Sequence, residues 1–174
     1  MTYLTKALLL VAVLATAACN ANANRFGAGG AGAGGAGAGG IGMGGLGSPS
    51  DPNSPAYFNQ TIGDRVLFAV DQSTLTPEAQ AVLRQQATWL MNNPSFTAIV
   101  EGHADEQGTR EYNLALGARR ASAVQDFLVT QGVAPNRLRT VSYGKERPLA
   151  VCSDESCWRE NRRAVTVLSA GGIS

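Results

Sequence analysis

Residues 66–70, Val-Leu-Phe-Ala-Val, make an unbroken apolar run of strand length, and a different periodicity begins a few residues later. Ala79, Val82, Leu83, Ala87 and Leu90 recur at three- and four-residue intervals, which puts them on one face of a helix. Thr76-Pro77-Glu78 supplies that helix with an N-cap, a proline at the first position and an early acid, and Asn92-Asn93-Pro94 ends it. Residues 97–103 are β-rich around Ile99. Thr109 can cap a second helix, whose stripe of Leu114, Gly117, Ala121, Val124 and Leu128 runs to a stop at Gly132. Residues 138–143 and 163–168 read as two more strands. The order β-α-β-α-β-β predicts a compact α/β sandwich, with two main helices packed on one face of a small mixed sheet. The other face is left for solvent or a partner.

This patterned unit spans residues 64–169 and leaves 170–174 as a short tail. The chain ahead of it has another character. Residues 1–18 combine Lys6, an apolar run from Ala7 to Ala15 and small residues leading to Cys19. They read as a secretory signal, because the apolar run is too short to cross a bilayer. From Gly27 to Gly47 the chain carries no charge and almost nothing to bury. That stretch predicts a flexible tether, continued by polar and proline-containing residues to about position 63, so that 19–63 links the mature N-terminus to the domain. A Gly-rich coil of ~43 residues spans roughly 35–40 Å on average.

Charge narrows the function classes. The chain has 14 Lys and Arg against 13 Asp and Glu, and loss of Lys6 with the signal leaves the mature protein balanced. No basic excess or stripe is present, which argues against a nucleic-acid partner. Of the three cysteines, Cys19 stands alone beside the signal. Thr16-Ala17-Ala18-Cys19 resembles a bacterial lipobox, in which the cysteine carries acyl chains; the rival is ordinary cleavage at an A-x-A site and a soluble product. Asn20 after that cysteine implies sorting to the outer membrane. Cys152 and Cys157 flank four residues in an exported domain, so a small-loop disulfide is the first choice, ahead of a zinc site or reactive thiols.

Candidate chemistry gathers in Glu101-Gly-His-Ala-Asp105-Glu106, which holds the only histidine, and in the helix after it. Asn113, Leu116 and Arg120 lie at i, i+3 and i+7 and share one helix face. Read as residues alone, Asp105 and Arg120 make a structural ion pair that orders the loop. Gly102-His103-Ala104-Asp105, followed by Asn113, Leu116, Gly117, Arg120, Ala121, Val124 and Leu128, resembles the OmpA-like peptidoglycan-binding domain family. The resemblance covers nearly all of the folded unit.

It implies a ligand, the meso-diaminopimelate side chain of the peptidoglycan stem, whose free end carries an ammonium and a carboxylate on one carbon. Asp105 matches the family's amine-binding acid and Arg120 its carboxylate-binding arginine, able to hold a carboxylate by two parallel hydrogen bonds. Asp71 matches a further ligand contact, although Val70 replaces the family's usual aromatic. Leu116 walls the pocket and Asn113 holds its loop. Arg162 and Arg163 can reach the sugar-peptide strand or pair with acids of the fold, and the structural role is the first choice. With the lipobox, the resemblance points to the lipoprotein members of the family and implies a protein partner, TolB, and the Tol system of cell division; the alternative is a wall-binding lipoprotein outside that system. No cofactor is implied. An enzyme would need His103 as base or ligand, yet no G-x-S-x-G elbow or H-E-x-x-H motif accompanies it. A peptidoglycan hydrolase acting through carboxylates is the remaining enzymatic reading. His103 is expected to be scaffold, holding the strand end and loop by hydrogen bonds.

Overall fold

The computed structural model describes residues 46–170. The signal segment, Cys19, most of the Gly-rich tract and the last four residues lie outside the described residues. Four strands form one mixed sheet: β1 (Arg65–Leu67), β2 (Phe96–His103), β3 (Leu138–Gly144) and β4 (Arg163–Ala170), in the order β1-β4-β2-β3. β2 and β3 run parallel, as a crossover through a helix requires, and β4 lies antiparallel to both β1 and β2. The helices are α1 (Pro55–Tyr57), α2 (Pro77–Asn92), α3 (Arg110–Thr130) and α4 (Glu155–Asn161). The expected sandwich is present, and both long helices start where the sequence places them. Thr76 accepts a hydrogen bond from the backbone N–H of Ala79, and Thr109 from that of Tyr112.

Ala98 and Val100 of β2 are buried with Leu83, Leu90, Val124 and Leu128 of the two helices in one core. Strand alternation sends Ile99 and Glu101 to the opposite face, where Val167 opposite Ile99 is exposed. On the core face, α3 approaches the sheet at backbone contact. A Cβ on Gly102 would stand 1.9 Å from the carbonyl oxygen of Gly117, and one on Gly117 would stand 2.4 Å from Ser142 Oγ. Glycine at both positions therefore sets the depth at which α3 sits, and with it the height of Asn113, Leu116 and Arg120 over the end of β2.

Three features depart from the sequence expectation. Residues from Pro52 to Gly63, assigned to the tether, are folded: α1 and a π-helical turn (Phe58–Gly63) pack on α2. Phe58 is fully buried with its ring centroid 5.0 Å from that of Trp89, and the indole N–H of Trp89 donates to Pro52 O at 2.7 Å. Burying Phe58 alone stabilises by roughly 1.5–3 kcal/mol. Second, β1 ends at Leu67, not Val70, because the carbonyls beyond it turn to arginine side chains, Phe68 O to Arg162 and the Ala69 and Gln72 oxygens to Arg120 of α3. Third, α4 was not foreseen; it is closed by the Cys152–Cys157 disulfide and capped by Asp154, whose carboxylate accepts from Ser156 N. The disulfide leaves neither cysteine free to hold zinc.

Candidate ligand-binding site

The loop after β1, the loop after β2 and the first turns of α3 meet around a hollow of about 200 Å³. Asp71, Asp105, Asn113 and Leu116, four of the residues singled out from sequence, line it together with Val70 and Tyr112. Each is positioned by a separate local cause. Asp71 adopts a left-handed backbone conformation, φ 57°, which aspartate tolerates better than most side chains. Its carboxylate accepts a hydrogen bond from the Tyr112 hydroxyl, which raises the phenol's pKa. Asn113 is buried and donates through Nδ2 to Gln107 O at 2.7 Å, so it holds the loop that carries Asp105. Leu116 supplies an apolar wall.

Asp105 is only 8 % exposed, and both of its oxygens have partners. Oδ1 accepts from Gln107 N at 3.2 Å, and Oδ2 pairs with Arg162 Nη1 at 3.2 Å. Arg162 pairs with acids of the fold, the structural role preferred for it from the sequence. It also pairs with Glu155 on α4 and donates through Nε to Phe68 O at 3.3 Å. The Glu155 hydrogen bond, with a smaller contribution from Asp105, raises its pKa. Its position beside a second arginine gave no indication which of the two would turn toward the acid. Tyr112 was equally unmarked, one residue before Asn113.

Arg120 is placed differently from the facing partner of Asp105. It has no exposed surface and does not line the hollow. Its guanidinium donates to three carbonyls, Gln72 O from Nε at 2.8 Å, His103 O from Nη1 at 2.8 Å and Ala69 O from Nη2 at 3.1 Å. The group thus pins both loops under the hollow and contributes to the early end of β1. Its Cζ also lies 5.2 Å from the ring centroid of Phe68. Burial pushes its pKa down to about 10, against the opposing charges of Asp105 and Asp71. Of five N–H groups, those three bonds leave two uncommitted. The ion pair read from the bare residues does not form; among the described residues, Asp105 pairs with Arg162 instead.

His103 corrects another expectation. Its ring is 2 % exposed, and neither nitrogen has a hydrogen-bond partner. Glu101 Oε2 stands 3.6 Å from Nε2, too far for a hydrogen bond. Burial, with Arg163 and Arg147 adding like charge, pushes the imidazole pKa down to about 4. The scaffold role belongs to its backbone carbonyl, not its side chain. A larger surface hollow of about 490 Å³, lined by Tyr57, Ile62, Arg84 and Trp89 among others, contains none of the residues singled out.

Comparison with known proteins agrees with this architecture. The OmpA family matches residues 67–163. The peptidoglycan-associated lipoprotein of Mesorhizobium japonicum is 60% identical over 121 residues, 70% of this chain and 72% of the relative, and that of Rhizobium meliloti is 57% identical over 121 residues, covering 70% and 69%. The crystal structure of the peptidoglycan-associated lipoprotein from Burkholderia pseudomallei superposes with a TM-score of 0.62 at 40% identity, covering 70% of this chain and 98% of that one. The chain belongs to the OmpA family, and within it to the peptidoglycan-associated lipoproteins.

Proposed function

We propose that the hollow binds the diaminopimelate end of a peptidoglycan stem and that the protein thereby holds the outer membrane to the cell wall without a covalent bond. The observation that carries this reading is the pairing of chemistries at one place: the carboxylates of Asp71 and Asp105 face a small hollow that has a buried guanidinium, Arg120, beneath it. An ammonium would sit between the two acids. The carboxylate on the same carbon would take the two N–H groups that Arg120 leaves uncommitted, a charge-assisted contact. Because Arg120 has no exposed surface, this requires the Ala69–Gln72 loop to shift as the ligand enters.

Residues 1–18 act as the signal, Cys19 as the acylated anchor, and the Gly-rich segment as the tether in the periplasm. Single contacts of this kind serve well when weak, because many tethers act together on one polymeric wall. Family kinship supports TolB as the protein partner and a role in cell division. Sedimentation with purified peptidoglycan tests the wall-binding reading: Asp105→Ala and Arg120→Ala are expected to stay in the supernatant while the unaltered protein pellets. Full retention of both variants, or release of soluble muropeptides by the unaltered protein, refutes it. Mass spectrometry of the mature N-terminus tests the anchor, and pull-down with purified TolB separates a Tol partner from a lipoprotein outside that system.

A further inference from the structure

Resting on the reading of the hollow as a zwitterion site, we infer that Arg162 is a positioning residue that keeps Asp105 from closing onto Arg120. A site built from an acid and a guanidinium has an intrinsic weakness: its two halves attract each other as strongly as they attract the ligand. In a partly dry setting such a pair closes, and the ligand must then separate it. Asp105 lies two residues beyond His103, whose carbonyl already contacts Arg120 Nη1 at 2.8 Å. Even so, Asp105 pairs not with Arg120 but with Arg162, whose Nη1 lies 3.2 Å from Oδ2.

The arrangement around Arg162 suits that role. Glu155, Arg162 and Asp105 form a chain of alternating charge, so Arg162 neither sits unbalanced nor takes up the whole capacity of Asp105. Phe68 O fixes the guanidinium through Nε at 3.3 Å, and the backbone N–H of Arg162 closes α4 on Trp158 O. The same helix braces the ligand loop a second time, since Trp158 Nε1 donates to Glu106 Oε1 at 3.1 Å. Each Asp105 oxygen has one protein donor and therefore retains acceptor capacity for an ammonium. Arg162 does not line the hollow, so it acts through Asp105 and not by touching the ligand.

The test uses the full chain in detergent, titrated with a stem tripeptide ending in meso-diaminopimelate and, separately, with the lysine-ending tripeptide, which keeps the ammonium and lacks the carboxylate. Melting curves check that each variant is folded. Arg162→Gln is expected to bind the diaminopimelate peptide roughly tenfold or more weakly, and its preference over the lysine peptide is expected to shrink, because Arg120 becomes occupied by Asp105. Arg162→Lys restores the charge without the fork that serves Glu155, Asp105 and Phe68 together, so its expected loss is about threefold. Unaltered affinity in a folded Arg162→Gln overturns the inference. If that variant does not fold, Arg162→Lys decides alone, and wild-type affinity there overturns it. Wild-type protein that binds neither peptide would instead overturn the zwitterion site itself, whereas wild-type binding that Arg162→Gln leaves unchanged overturns only the role of Arg162.

Discussion

His103 offers the sharpest stability test, because its buried ring has no partner for either nitrogen. Its pKa falls from 6.5 in an exposed histidine to about 4 in the folded protein. The unfolded chain therefore binds a proton at a pH where the folded one does not. Stability from this group is complete above pH 6.5, declines as pH falls from 6.5 to about 4, and is lost below that. The fall from 6.5 to about 4 corresponds to about 3 kcal/mol over that window. Carboxylates titrate in the same range, so the decisive quantity is a difference between two proteins. His103→Phe keeps a planar ring against Tyr143, whose centroid lies 5.6 Å away, and removes both orphaned nitrogens. Urea unfolding of both proteins at pH 7.5, 5.5 and 4 should show the variant at least as stable at pH 7.5, with its advantage growing by roughly 3 kcal/mol toward pH 4. Parallel pH curves for the two proteins would refute the reasoning, and so would a large loss of stability in the variant at pH 7.5.

Gly117→Ala should lower stability by about 1–3 kcal/mol, since its Cβ meets Ser142 Oγ at 2.4 Å and Gly102 O at 2.8 Å; a melting curve unchanged from wild type would contradict the close approach of α3. Phe58→Ala should cost about 3–5 kcal/mol in chemical denaturation, whereas a true tether residue would cost nothing. Reduction of Cys152–Cys157 should remove about 2 kcal/mol in the chain-entropy view, read as a lower urea midpoint with reductant than without. The double variant Cys152→Ser/Cys157→Ser should then show no response to reductant.

Both long helices and their caps were legible in sequence because a 3.6-residue stripe and a threonine before it are local properties of the chain. The N-terminal segment was not, because nothing in Pro52–Gly63 is periodic: its order comes from one aromatic, Phe58, finding Trp89, and from one indole N–H finding Pro52. α4 escaped for a related reason. Its seven residues have no apolar stripe, and it stands on a disulfide, a cap and contacts with distant loops. For the site, Asp71, Asp105, Asn113 and Leu116 were named from their motif and do share one hollow.

Sequence by itself determined the four strands, the two long helices, the mixed α/β architecture, the family and four of the side chains that line the hollow, since periodicity, capping and motif spacing are written along the chain. Tertiary structure alone decided which charge meets which. Asp105 has two arginines within reach of its loop, and only the packing of α4 against that loop assigns it to Arg162 while three carbonyls hold Arg120 below. Ion pairing in a partly dry site depends on distance and burial to within an ångström, and those are properties of the folded arrangement that no residue pattern records.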